Sequence, residues 1–152
     1  MPNEAAEALL QLSTTFAVAT KLLDSRIGGS HGLSYAEVRL LGALASAPSG
    51  KMRPGELALD LGLAASGVTR AVLPLEKRGI VSREPDPRDA RAGQVALTGA
   101  GKRLVEETAL TVDESASALM RRLSVGQIRQ LERLLAEIDA SPAKSGGSRK
   151  LS

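Results

Sequence analysis

Apolar positions along the chain set the first expectations. Leu9, Leu12, Phe16, Ala19, Leu23 and Ile27 step by three and four, so they line one face of a helix, which Gly28-Gly29 is expected to end. Ser34 stands as a cap with Glu37 three residues on, the capping-box spacing, ahead of Val38, Leu40, Leu41 and Leu44. Ala47-Pro48-Ser49-Gly50 closes this second helix. Pro54 suits the first turn of a third, where its missing amide hydrogen would be unpaired anyway, and Leu57, Ala58 and Leu61 follow before Gly62. A fourth helix is predicted from about Ala64 to Arg78, with Gly79 as its left-handed stop.

The pattern then changes period. Ile80 to Glu84 and Gln94 to Thr98 alternate and are bounded by turn formers, as two antiparallel strands are, and Pro85 to Gly93 reads as a polar loop with Arg88 and Arg91 at its tip. Thr98 caps a fifth helix whose apolar positions Val105, Ala109, Val112, Ala116, Leu119 and Leu123 repeat every seven residues. Ser124 opens a sixth, in which Ile128, Leu131, Leu135 and Ile138 continue the seam. Such stripes need a partner surface. The predicted fold class is mainly α with a small β-hairpin wing: a winged helix-turn-helix over about 34–98, flanked by long helices at about 5–28 and 99–139, in a single domain of 1–140. From Ser141 there is almost nothing to bury, and 141–152 are expected to be a disordered basic tail.

Composition narrows the chemistry. The 152 residues, 43% hydrophobic and 24% charged, suit one compact domain. The chain has no cysteine, which excludes disulfides, thiolate metal sites, cysteine nucleophiles and thiol redox switches, and the lone His31 cannot build a multi-histidine zinc site. No metal or cofactor is expected. The apolar runs fall short of the roughly 20 residues of a membrane span and the opening segment carries acids where a secretory signal needs bases, so a cytoplasmic location without membrane contact is expected. Catalysis has no support, because no nucleophile can be tied to the only histidine, and Gly99-Ala100-Gly101-Lys102 lacks the preceding glycine of a phosphate loop.

The net charge of +3 is carried wholly by Lys144, Arg149 and Lys150 of the tail, which leaves 17 basic against 17 acidic residues in 1–140. Bulk charge therefore says little about an anionic partner. The placement of particular arginines says more. Glu56-Leu57-Ala58, Leu61-Gly62-Leu63 and Val68-Thr69-Arg70 form a helix-turn-helix pattern, in which the leading half of the second helix reaches base edges in a DNA major groove. Ser66, Thr69 and Arg70 are the candidates there, Arg70 with the geometry for a paired bond to guanine. In an isolated match Arg70 would be equally well explained as a solvated arginine. Arg53, just ahead of the third helix, is a candidate phosphate contact beside the unpaired amides of the helix start.

From Met52 to Gly101 the chain resembles the MarR family of winged-helix transcription regulators. The resemblance is carried by Leu75-Glu76-Lys77-Arg78-Gly79-Ile80-Val81-Ser82-Arg83, by Asp86-Pro87-Arg88-Asp89-Ala90-Arg91 with its aspartate two residues before an arginine, and by Leu97-Thr98-Gly99-Ala100-Gly101. It implies a homodimer interlocked through its terminal helices, with each winged helix in a major groove and each wing at a minor groove of double-stranded DNA. On that pattern Arg91 is the minor-groove probe, Asp89 its orienter and Arg88 an added groove or phosphate contact. A narrow minor groove focuses negative potential, which suits arginine. Three positions depart from the pattern: Ala90 replaces a common arginine, Ala64 lacks the usual capping hydroxyl, and Pro74 lies inside the recognition helix, where it is expected to bend it.

The resemblance also implies a small aromatic or anionic effector in a cleft beside the dimerisation helices, for which Phe16, His31, Tyr35 and Arg39 are the candidates. The simpler reading of His31, and the one favoured by its glycine-flanked setting, is a solvated loop residue. The expected function is a dimeric, sequence-specific repressor of an inverted-repeat operator, relieved by a small molecule. The alternative is a winged-helix protein-interaction module without operator-specific DNA binding.

Overall fold

The computed structural model describes residues 3–138, with the side chain of Ala90 excepted. The expected tail at 141–152 lies outside the described residues. Six helices and three strands follow in the order α1 (Glu4–His31), α2 (Tyr35–Ser46), β1 (Lys51–Met52), α3 (Pro54–Leu61), α4 (Ala65–Lys77), β2 (Val81–Asp86), β3 (Asp89–Leu97), α5 (Gly99–Leu119) and α6 (Val125–Ile138). Among these residues no single helix is long and apolar enough to cross a membrane.

The first helix does not end at its glycine pair. It runs through Gly28 and Gly29 to His31 and stops at Gly32, which takes the left-handed conformation (φ 65°) and donates its N–H to the Gly28 carbonyl at 3.1 Å. A helical glycine costs only about 1 kcal/mol. Tertiary contacts on both sides outweigh it, since Ile27 is fully buried and the His31 Nε2 lies 2.9 Å from the Thr111 hydroxyl of α5. Ser34 then caps α2 as a full capping box: its hydroxyl accepts the Glu37 amide hydrogen and the Glu37 carboxylate accepts the Ser34 one.

The core is built from α1, α2, α3, α4 and the sheet, with Leu104, Val105 and Val112 of α5 packed against it: Ile27, Leu40, Leu41, Leu44, Leu57, Val68, Val72, Leu75, Val81 and Val95 are all essentially inaccessible. The sheet is antiparallel in the order β1-β3-β2, so the two-residue β1, which is too short to show in a periodicity, makes the wing three-stranded. Its two long strands also reach further than expected. Pairing continues to Asp86 opposite Asp89, leaving only Pro87 and Arg88 as the turn.

The α5 seam divides. Val105 and Val112 pack against the core, whereas the fully buried side chains of this helix are Thr108 and Ser115. Their hydroxyls donate to the carbonyls of Leu104 (2.9 Å) and Thr111 (2.6 Å), which removes the penalty of burying them. The fifth helix ends at Leu119, and Ser124 and Gln127 exchange side-chain-to-backbone bonds at the start of α6.

Candidate nucleic-acid interface

Two short helices joined by Gly62, itself left-handed at φ 66°, form the helix-turn-helix. Helix α4 is anchored by Val68, Val72 and Leu75 on one face, which turns Ser66, Thr69 and Arg70 outward. All three are exposed, on the leading half of the helix as the spacing predicts. The Thr69 hydroxyl donates to the Ala65 carbonyl at 3.3 Å, leaving its lone pairs to accept. Ala64 supplies no side-chain cap, so the first amides of α4 have no side-chain partner from that position. The helix continues past Pro74 to Lys77.

The wing presents its arginines differently from the expectation. Arg88 alone stands in the tight turn, while Arg91 belongs to β3. Because Pro85 pairs with Gly93 and Asp86 with Asp89, residues 90–92 have no counterpart across the ladder and form a bulge, which carries Arg91 out to solvent. Asp89 is not bonded to the Arg91 guanidinium. Its carboxylate accepts the Arg91 backbone N–H at 3.0 Å, the short-range bond an aspartate side chain makes two residues along, so it shapes the bulge rather than steering the charge directly.

A carboxylate that sequence reasoning did not single out holds the centre. Asp86 is 2% exposed, accepts the Arg88 amide hydrogen at 2.9 Å, pairs with the Arg53 Nε and lies 3.7 Å from the Arg88 Nε. The Arg88 amide foremost, then the Arg53 guanidinium, holds this carboxyl below its ordinary range against the opposing effect of burial. Arg53 is correspondingly strengthened as a cation, chiefly by its bond to Asp86. The structure thus engages Arg53 with the wing, where the sequence offered it as a phosphate contact. The signal for Asp86 was present as a second carboxylate two residues before Arg88, but its partner is 33 residues away in sequence.

A model of the MarR family matches residues 31–92. The chain is also 30% identical over 119 residues to an uncharacterised HTH-type transcriptional regulator, YcgE, of Bacillus subtilis strain 168, a match spanning 78% of this chain and 76% of that protein. The chain belongs to the MarR family. Members of this family are transcriptional regulators, not enzymes, and the six helices with a three-stranded wing are the winged-helix arrangement of its solved structures. Among those, Sco3205 of Streptomyces coelicolor, solved in complex with DNA, superposes with a TM-score of 0.81 at 24% identity over 91% of this chain and 88% of that one. Bordetella bronchiseptica BpsR, described by the regulation of its DNA binding by 6-hydroxynicotinic acid, gives 0.77 at 20% identity over 87% and 98%.

The four effector candidates of this MarR-family chain do not form one constellation within it. Phe16 is exposed on α1, 15 residues and so about 22 Å along the helix from His31. His31 is half-buried in the last turn of α1, bonded to Thr111 and not free in a loop. Tyr35 packs against the core while its amide donates to Asp24 at 2.6 Å, and Arg39 donates to the Leu61 carbonyl at 3.3 Å.

Proposed function

We propose that the protein is a dimeric, sequence-specific transcriptional repressor that holds an inverted-repeat operator and lets it go when a small molecule binds. The observation that carries the DNA-binding part is the exposed row of Ser66, Thr69 and Arg70 on the leading half of α4, together with the exposed Arg88 and Arg91 of the wing. Ser66, Thr69 and Arg70 read base edges, Arg91 enters the minor groove, and Arg88 adds a phosphate or groove contact. Similarity to Sco3205, solved with DNA, supports this reading.

Dimerisation is supported by apolar surface without cover. No residue of α6 is buried, although a helix of 14 residues is marginal in water by itself. Leu9, Leu10 and Phe16 of α1 and Ile138 of α6 are each more than half exposed. The resemblance to BpsR supports a small aromatic anion as effector, with His31 at the end of α1 and Tyr35 and Arg39 in the first turns of α2 as the candidate contacts.

Selection of bound duplexes from random DNA at two salt concentrations tests the reading. The expected product is a palindrome with half-sites about 10 base pairs apart and an affinity that falls steeply with salt. Recovery of no preferred sequence would leave the interaction-module alternative. On the selected duplex, Arg91→Ala weakens binding by about tenfold or more with the dimer intact, and unchanged affinity in a titration would remove Arg91 from the interface.

A further inference from the structure

The outer part of the wing has almost no apolar anchor. Among the described side chains of residues 82–94, Asp86 alone is buried. Open clefts flank the hairpin: one of about 430 Å³, lined in part by Met52, Glu56, Arg88 and Gln94, and one of about 590 Å³ between the start of α3 and Arg83, Ala92 and Gly93. Hydrophobic packing therefore does not set the angle at which the tip leaves the body.

Arg83, nearer the body, pairs with Glu76 of α4 at 3.2 Å, and two further ion pairs cross from the β1 side. Lys51 pairs with Glu84, and Arg53 with Asp86. The cations stand two residues apart on an extended segment and the carboxylates two apart on β2, so each set shares a face. Since β3 lies between β1 and β2, both pairs reach over it, a span of about 10 Å between outer strands that long basic side chains can bridge. The Lys51 pair is open to water on both sides, with side chains 38% and 40% exposed, and is screened accordingly. The Arg53 pair ends on a carboxylate that solvent does not reach.

We propose that Asp86 is a positioning residue for DNA docking: with Arg53 it straps the wing tip to the start of α3, and through the Arg88 amide it fixes the turn that presents Arg88. The proposal rests on the DNA-binding reading above. It assigns Arg53 an indirect part, exerted through Asp86 and not by touching a phosphate. The two roles differ in salt dependence, because removing one cation from a phosphate makes the slope of log affinity against log salt shallower by about 0.9.

The test uses the full chain and the duplex that the wild type enriches from a random pool, with Arg53→Gln, Asp86→Asn and the double variant titrated over a range of salt. Each single variant is expected to bind about tenfold more weakly. The double variant is no weaker than Asp86→Asn alone, since Arg53 acts only through that carboxylate, and the salt slope of Arg53→Gln equals that of the wild type. Amide exchange in the DNA-free protein reads the strap separately: Asp86→Ala speeds exchange at Arg88 while the unfolding transition stays cooperative. Effects that add, a shallower slope in Arg53→Gln, or full affinity in Asp86→Asn would each overturn the positioning role. A wild type that enriches no duplex even at low salt would overturn the regulator reading, and the docking role with it, whatever the exchange at Arg88 shows.

Discussion

At the scale of single residues, Asp86 and Gly101 have consequences that can be measured without DNA. The Asp86 carboxyl is lowered in the folded chain, so the stability it contributes is complete above its unfolded value, near pH 4, and is lost as pH falls through the lower folded value. Denaturant titrations between about pH 5 and 2 are expected to show the gap between wild type and Asp86→Asn closing toward the acid end. A gap that stays constant would mean that the charge contributes nothing. Gly101 illustrates a different constraint. A Cβ there would sit 2.2 Å from the Ile80 carbonyl oxygen and 2.9 Å from Leu97 Cδ2, so the first turn of α5 can lie against the start of the wing only with glycine in place. Gly101→Ala should cost about 3 kcal/mol in thermal or chemical unfolding, whereas Gly99→Ala, whose Cβ would meet only the flexible Arg103 end at 3.7 Å, should cost far less.

At the scale of elements, α4 combines an external reading face with a weak start. The capping serine of α2 and the Thr98 hydroxyl of α5, which accepts the Gly101 amide hydrogen at 3.1 Å, show what Ala64 lacks. Ala64→Ser is expected to raise stability by about 1 kcal/mol, read as a higher unfolding midpoint, and an unchanged midpoint would show that the α4 amides are already satisfied by solvent. The elements themselves were largely legible. Ser34 with Glu37, Pro54, Gly62, Gly79 and Thr98 mark boundaries through local backbone chemistry, and each stands at the helix end or start it predicted. The glycine pair at 28–29 misled for the converse reason: a modest local penalty yields to a buried Ile27 and a His31–Thr111 bond made 80 residues apart. The same holds for β1 and for the bulge at 90–92, since strand pairing and register are decided by the partner strand.

At the scale of the whole molecule, the long terminal helices carry apolar surface that the other described residues do not cover. Leu9 is 61% exposed and Ile138 64%, although both lie on stripes with a core-facing period. Leu9→Asp with Ile138→Asp should therefore convert a dimer to a folded monomer in sedimentation, with operator affinity lower by about 100-fold once the two reading heads are unlinked. A dimer that survives both changes would place its interface elsewhere. What the sequence by itself determined was the set of helices, the boundary residues Ser34, Pro54, Gly62, Gly79 and Thr98, the hairpin, the membership of the helix-turn-helix and the exposed row Ser66, Thr69 and Arg70, because each depends on residues within a few positions of one another. What only the tertiary structure decided was which side chains meet across long separations: Asp86 with Arg53, Lys51 with Glu84, His31 with Thr111 and the bulge that turns Arg91 outward. Those depend on how the strands and helices stack in space, where a carboxylate such as Asp86 finds its cation by packing and not by spacing along the chain.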